Sequence, residues 1–275
     1  MPALSPYAPK WIERLTAVGS WVIGIAAACA APHFSGRLPF CIFAWFVFYM
    51  ILAKSLKKWG GKSAQMKFDG YPAWSYDTGV IHGVVVLPSI FLGAIYISGF
   101  PGWNNETFYM EAWNDTLTHF VMQQVHCCII GYLLKDYVLY DGLETAFLVH
   151  HFASIGVCAL SLHFPLAACL LSLQGAHAEF GSAFFSFQKA HPSYYSRIAY
   201  LLFMPVDNAF GAWIAYIVYL ENIPAWPWKA IYVPLCAVII VLRQGGWFLH
   251  CNLSLQKPDE AASPNPRKEK KKKAK

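Results

Sequence analysis

Three histidines and one glutamate stand in stretches of this sequence that are otherwise apolar enough to cross a lipid bilayer. His150 and His151 are adjacent, and His177 and Glu179 follow in the next apolar stretch. An ionisable side chain near the bilayer centre costs about 3 kcal/mol or more, so it usually faces a cavity or a polar partner. Because imidazole can act as a general base, a nucleophile or a metal ligand, these residues are predicted to form a functional site.

The chemistry open to such a site is limited. The chain contains no H-E-x-x-H, G-x-S-x-G, phosphate-binding glycine loop or dinucleotide fingerprint. His150, His151, His177 and Glu179 could supply metal ligands, but their spacing does not require a metal, and none is predicted. General-base or acyl-carrying chemistry on a lipid is the more economical enzymatic hypothesis. It needs no cofactor.

The composition predicts an all-α, polytopic membrane protein. Of the 275 residues, 57% are hydrophobic and only 13% are charged, which is about half of the roughly 25% charge found in soluble domains. The eight cysteines lie in or beside apolar stretches and form no C-x-x-C pair, so they are interpreted as small buried residues. Membrane lipids are the expected partners, and nucleic acid is not.

Apolar runs of about 20 residues, the length that a spanning helix needs, recur along the chain. They predict eight spans, at 13–32, 37–55, 78–99, 117–138, 145–163, 166–187, 198–219 and 230–250. On the fourth span, His119, Gln123 and His126 share one helical face. The polar residues of the fourth, fifth and sixth spans predict a chamber between these helices that water or a lipid head group can enter.

Other polar residues in the spans favour a structural interpretation. A lone histidine in a helix bundle is most often an interhelical hydrogen-bonding residue, which is the interpretation preferred for His82 and His119. Asp207 on the seventh span and Arg243 on the eighth could form a structural ion pair.

The distribution of lysines predicts the orientation. The 54–67 segment carries five lysines, whereas the 100–116 segment has three acidic residues and no lysine or arginine. By the positive-inside rule the first is cytosolic and the second lumenal, with both termini and Lys135 on the cytosolic side. Two N-glycosylation sequons, at Asn105 and Asn114, lie in the predicted lumenal loop.

The basic C-terminal tail bears on localisation. Its last four residues, 272–275, fit a dilysine retrieval signal in which Lys272 and Lys273 would be read by coat machinery. With the sequons, this signal predicts a multi-pass protein of the endoplasmic reticulum membrane. A homo-oligomer is left open.

Several segments, taken in order, resemble the TLC family of translocation-associated membrane proteins, ceramide synthases and the neuronal ceroid lipofuscinosis protein. The segments are Gly131–Asp136, Phe147–His151 and Glu179–Phe187, together with His82 and Trp247, and the resemblance covers about 35–250. It implies six helices around a lipid-accessible cavity, over about 78–250. Residues 1–34 would then form an N-terminal segment with an extra transmembrane helix, and 251–275 the cytosolic tail.

The resemblance also implies an activity. Family members similar to ceramide synthases move a fatty acyl group from acyl-CoA to a sphingoid amine. His150 and His151 match the family's histidine pair, with one of them as base or acyl carrier, and His177 matches its later, assisting histidine. Asp136, Glu179 and His126 are the expected supporting residues.

The family's two later aspartates are replaced by Ala178 and Gly181, and on a helix Glu179 points about 100° away from position 178. The preferred hypothesis is therefore a protein that binds or handles lipids and influences membrane lipid composition. The alternative is a ceramide-synthase-like N-acyltransferase with acyl-CoA as substrate. A third hypothesis is a cargo or interaction protein of the early secretory pathway.

Overall fold

The computed structural model describes residues 7–68, 71–99, 109–140, 142–164, 167–220 and 226–254. These residues are predominantly helical. The helices are α1 (Lys10–Ala30), α2 (Leu38–Trp59), α3 (Gly61–Ala64), α4 (Ala73–Val80), a π-helical segment (Ile81–Val86), α5 (Leu87–Ile97), α6 (Leu117–Leu139), α7 (Thr145–Ser161), α8 (Ala168–Ala190), α9 (Tyr194–Leu220) and α10 (Trp226–Ser254). A short antiparallel hairpin, β1 (Lys67–Phe68) and β2 (Tyr71–Pro72), precedes α4.

The predicted all-helical membrane architecture is confirmed in its coarser form. Six helices of the described chain are long and apolar enough to cross a membrane: α1, α2, the continuous run Ala73–Ile97, α6, α9 and α10. Two further helices coincide with the fifth and sixth predicted spans. Of these, α7 is apolar but shorter, and α8 carries polar side chains along its length. The count of eight spans stays a prediction.

Helix α6 forms the centre of the bundle. Of the most apolar 18 residues of α6, 67% are buried, against 22% in α1 and 22% in α2. The helix packs against α1, α2, α5, α7 and α8. Gly131 permits the close approach of α2, because a Cβ at this position would lie 2.7 Å from the backbone nitrogen of Phe46. This packing places the polar residues of α6 inside the protein, where they need partners.

The π-helical segment adjusts the third long helix at the level of α8. A π-helical turn holds an extra residue, and such turns often occur at functional sites. Here the segment carries His82, which is fully buried, and Gly83, whose absent side chain leaves room for α8. A Cβ on Gly83 would lie 2.9 Å from the carbonyl carbon of Glu179. The segment therefore brings His82 and Glu179 onto adjoining surfaces.

One end of the bundle, called the lysine-rich end here, is defined by the 54–67 segment at the end of α2. The start of α4 and the end of α6 lie there as well, because Trp74 packs with Ala53 and stacks on Tyr140 with ring centroids 5.9 Å apart. Lys135, which the sequence predicted on the cytosolic side, belongs to this end of the bundle. Its side chain is only 1% exposed and points into the bundle, where Asp136 neutralises it.

Candidate functional site

A cavity of about 270 Å³ opens between the helices at the lysine-rich end. Its walls come from the start of α4, the end of α6, the start of α7, the end of α8, the start of α9 and the end of α10. The predicted chamber involved only the helices now named α6, α7 and α8. The described cavity is wider, because α4, α9 and α10 also contribute side chains.

The cavity wall has two chemical parts. Aromatic and aliphatic side chains form most of it, among them Tyr132, Tyr140, Phe147 and Phe185. The acidic, basic and imidazole side chains in the wall are Lys135, Asp136, His150, His151, Glu179 and Arg243. A concave, mainly apolar pocket with a few convergent polar groups is the usual form of a small-molecule site.

His151 is oriented by Asp136. Its Nε2 lies 2.9 Å from Asp136 Oδ2, and both residues are buried. The second carboxylate oxygen of Asp136 lies 2.5 Å from Lys135 Nζ, which also lies 3.7 Å from the centre of the Tyr132 ring. The lysine therefore balances the carboxylate charge, and the ring adds a cation–π contact.

This arrangement leaves one nitrogen of His151 unprotonated. Because Nε2 donates its hydrogen to Asp136, the neutral ring carries a lone pair on Nδ1. Nδ1 has no hydrogen-bond partner among the described residues. A carboxylate that fixes the tautomer of an imidazole and stabilises its protonated form is a recurrent device for general-base catalysis.

His150 lies at the boundary of two cavities. It lines the first cavity and also a second, smaller one of about 70 Å³. Glu179 and Arg243 line both cavities as well. The ring of His150 meets that of His151 edge-on, with centroids 5.8 Å apart. The two predicted catalytic histidines are thus adjacent in space and face different surroundings.

His177 does not join this histidine pair. It lines neither cavity, and its side chain is 30% exposed. Its Nδ1 pairs with Asp207, and its ring packs on Phe210 with centroids 4.3 Å apart. The structure therefore separates His177 from His150 and His151, although the sequence grouped the three together.

Asp207 and Arg243 do meet. Arg243 pairs with the Asp207 carboxylate and donates to the carbonyl oxygen of Ala178 at 2.6 Å. Gly181 is necessary for this contact, because a Cβ there would lie 2.5 Å from the carboxyl carbon of Asp207 and 2.7 Å from Arg243. A carboxylate from α9 thus occupies the space beside position 181.

Glu179 has a different environment. Its carboxylate is largely buried, and its Oε2 lies 3.7 Å from Nε2 of His82. No lysine or arginine nitrogen in the described part of the chain comes within 4.0 Å of it. His82 is also bound by Tyr49, whose hydroxyl oxygen lies 2.5 Å from Nδ1, and its ring stacks on Tyr132 with centroids 3.9 Å apart.

His126 and His119 lie progressively further from the first cavity. His126 lines the second cavity, and its Nε2 lies 3.4 Å from the hydroxyl oxygen of Ser172. His119 accepts a hydrogen bond from the backbone nitrogen of Asn114 at 3.1 Å, and its Nε2 lies 3.4 Å from a carboxylate oxygen of Glu111. This satisfied pairing agrees with the structural interpretation of His119.

The modification and retrieval residues are only partly described. Asn114 lies just before α6, and its side-chain oxygen accepts from the backbone nitrogen of Thr116 at 3.0 Å and from its hydroxyl at 2.6 Å. The predicted sequon at Asn105 and the predicted retrieval residues Lys272 and Lys273 lie outside the described residues. Within the described ranges no group of three or more histidine, cysteine, aspartate or glutamate side chains could hold a metal ion.

Fold and site together define a class of protein: a multi-helix membrane protein with an internal cavity that is apolar over most of its wall and carries a charged cluster. The comparisons add no relative, since no protein-family model, curated protein or solved structure matches the chain. The resemblance to the TLC family therefore remains a proposal.

Proposed function

We propose that this protein is a multi-pass protein of the endoplasmic reticulum membrane that binds an amphipathic lipid in the first cavity and so influences membrane lipid composition. The observation that carries the proposal is the two-part cavity wall. An acyl chain would pack against Tyr132, Phe147 and Phe185, and the polar end of the lipid would reach the cluster of Lys135, Asp136 and His150.

Charge explains why such a ligand fits better than a purely apolar one. In the walls of the two cavities, counted with neutral histidines, Lys135 and Arg243 contribute two positive charges. Asp136, Glu179 and Asp207 contribute three negative charges. Groups of this kind persist within a membrane protein where they bind one another or a polar ligand. A hydrocarbon alone would leave Glu179 without a polar contact on the cavity side.

The location of the cavity supports the same proposal. Its lining residues belong to the lysine-rich end of the bundle, which the positive-inside rule assigns to the cytosol. TLC-type lipid handling and an endoplasmic reticulum location rest on the sequence segments and the tail. The cavity is compatible with both and is the stronger argument for lipid binding.

Lipid binding is tested by purifying the full chain in a mild detergent and identifying bound lipids by native mass spectrometry. Phe147→Ala together with His150→Ala should remove most of the co-purified lipid. His163→Ala is the matched control, because His163 binds the carbonyl oxygen of Ala27 and lines neither cavity. Equal lipid content in the cavity variant and the control would refute the proposal.

A second candidate function, N-acyl transfer from acyl-CoA to a sphingoid amine, is favoured by the pairing of His151 with Asp136. Nδ1 of His151 would take a proton from the amine as the amine nitrogen attacks the thioester carbonyl carbon. The C–S bond then breaks, and the thiolate of coenzyme A leaves with the proton that the imidazolium returns. Asp136 would supply the carboxylate that the missing aspartates at 178 and 181 do not.

Acyl transfer is tested with the purified protein, an acyl-CoA and a sphingoid base, with amide product measured by mass spectrometry. Product that falls by about 100-fold or more in His151→Ala and in Asp136→Asn, with lipid binding intact, would support catalysis. No product with any acyl acceptor, while lipid still co-purifies with the wild-type protein, would leave lipid binding as the function.

A further inference from the structure

The fully buried His82 has no role in either proposed function. Its side chain is 0% exposed, and it stands in the π-helical segment. Nδ1 faces the hydroxyl of Tyr49 at 2.5 Å, whereas Nε2 has no hydrogen-bond partner among the described residues. A carboxylate oxygen of Glu179 lies 3.7 Å from Nε2.

We infer that His82 and Glu179 form a proton-exchanging pair in the wall of the first cavity, with Glu179 as the group that faces the ligand and His82 as its positioning residue. The pair is separate from His151 and Asp136. Because Glu179 lines both cavities, it can exchange a proton with a ligand or with water in either one. The inference does not depend on the identity of the lipid.

The geometry allows Glu179 to be satisfied in both protonation states. When Glu179 is a carboxylate, Nε2 of His82 carries the ring hydrogen and donates it to the carboxylate, while Nδ1 accepts from the hydroxyl of Tyr49. When Glu179 takes a proton on its other oxygen, Oε2 still accepts from Nε2–H, and Nδ1 still accepts from the hydroxyl of Tyr49.

The change between these states is balanced. Glu179 gains one proton from the cavity, and the imidazole of His82 keeps its hydrogen on Nε2 and remains neutral throughout. The 3.7 Å separation exceeds the usual hydrogen-bond length of about 2.7–3.2 Å. A small rotation of the glutamate side chain closes this gap, and bonds of this kind commonly tighten only when a ligand is present.

Packing fixes His82 for this role. One face of its ring stacks on Tyr132, and the ring of Tyr49 meets it edge-on with centroids 5.2 Å apart. The backbone at Gly83 lies directly against the backbone of Glu179, so neither partner can move away. A regular α-helical turn would rotate His82 relative to α8, because each added residue turns a helix by about 100°.

The charged and titratable groups around the pair come from every neighbouring helix. Glu179 interacts electrostatically with Lys135 of α6, His151 of α7, Asp207 of α9 and Arg243 of α10. His82 interacts electrostatically with Lys135 and Asp136 of α6, and its Nδ1 contacts the hydroxyl of Tyr49 of α2. Because Lys135 is bound by Asp136 and Arg243 by Asp207, His82 is the group left to bind Glu179 directly.

The test is infrared difference spectroscopy of the full chain in lipid nanodiscs, titrated from acid to alkaline pH without added ligand. The wild-type protein should show a C=O stretching band of a protonated carboxyl group that disappears in Glu179→Gln. In His82→Phe, which keeps an aromatic ring against Tyr132, this band should shift to a higher wavenumber because the carboxyl loses its hydrogen-bond partner. Tyr132→Phe is the matched control and should leave the band in place.

Two results would overturn the inference. One is a Glu179 band at the same wavenumber in the wild type and in His82→Phe, and the other is no band that depends on Glu179 at any pH. If His82→Phe does not fold, Tyr49→Phe replaces it, since the hydroxyl of Tyr49 binds Nδ1 of His82 and its loss should produce a smaller shift. An unchanged band in Tyr49→Phe would likewise refute the coupling. Lipid co-purification is scored separately, so its absence does not affect this result.

Discussion

The ion pair between Asp207 and Arg243 gives the most quantitative prediction for this fold. Both side chains are buried, at 3% and 8% exposure, and the carboxylate also binds His177. Asp207→Leu removes the carboxylate and leaves the guanidinium with the carbonyl of Ala178 as its main partner. Breaking a buried ion pair from one side costs about 3–5 kcal/mol, because the remaining charge stays buried without compensation.

The assay is equilibrium unfolding in mixed micelles, followed by tryptophan fluorescence. Asp207→Leu should lower the free energy of unfolding by about 3 kcal/mol, and the double variant with Arg243→Met should recover much of this loss because no buried charge remains. Asp77→Leu is the control: its ion pair with His191 is far more exposed, at 27% and 57%, and should contribute at most about 1 kcal/mol. A loss below about 1 kcal/mol for Asp207→Leu, or no recovery in the double variant, would refute the reasoning.

Three further predictions concern the packing at Gly83, the titration of Tyr71 and the orientation of the 100–116 loop. Gly83→Ala should lower the free energy of unfolding by about 1–3 kcal/mol in the same assay, because its Cβ would press on the α8 backbone. Gly93→Ala is the control: nothing lies within 4 Å of its Cβ, so it should be neutral or stabilising by up to about 1 kcal/mol. Equal effects of the two substitutions would contradict the described packing at Gly83. Burial raises the pKa of Tyr71 to about 12, so its contribution to stability is fully present below pH 10 and is lost as pH rises through about 12; an ultraviolet titration in which Tyr71→Phe removes a transition near pH 10 instead would be contrary to this. If the 100–116 loop is lumenal, Asn105→Gln and Asn114→Gln should each remove a glycosidase-sensitive mobility shift on gels of protein from a eukaryotic host, and no shift in the wild type would count against the orientation.

Helix positions were predictable from the sequence because apolar length is a direct consequence of the bilayer thickness. Each predicted span falls on one helix or, for the third, on the continuous run Ala73–Ile97, and the predicted starts lie near Leu117, Thr145 and Ala168. What length and hydropathy do not specify is the π-helical segment at 81–86, since a local change in hydrogen-bond register leaves the apolar pattern unchanged. The one available signal was His82 followed by a glycine, which was interpreted as structural.

The site was predictable only in its residue types. The sequence identified His150, His151 and Glu179, which all line the first cavity. It grouped His177 with them because neighbouring spans were expected to bring these polar side chains to similar depth in the membrane. The rotation of each helix decides which of its side chains face the cavity. This rotation depends on close packing at glycines such as Gly131 and Gly181. A sequence does not show which neighbouring residue packs against such a glycine.

Lys135 shows the same limitation for charge. In a sequence, a lysine near the end of an apolar run is expected at the membrane surface, where its long side chain reaches water. Here Asp136 and the Tyr132 ring hold it inside the protein. Adjacent residues on a helix diverge by about 100°, so this pairing depends on the reach of the lysine side chain and is not implied by the order of the residues.

The positions of Asp136 and Asp207 change how the missing aspartates should be interpreted. On sequence alone, Ala178 and Gly181 argued that the histidines lack acidic partners. In the structure each of two histidines has one, because Asp136 of α6 binds His151 and Asp207 of α9 binds His177. Gly181 is needed for the second pairing, since any side chain there would collide with the carboxylate. The absence of an acid at positions 178 and 181 is therefore no argument against acid–base chemistry at His151. The acyl-transfer assay tests whether the cavity admits an acyl-CoA and a sphingoid base.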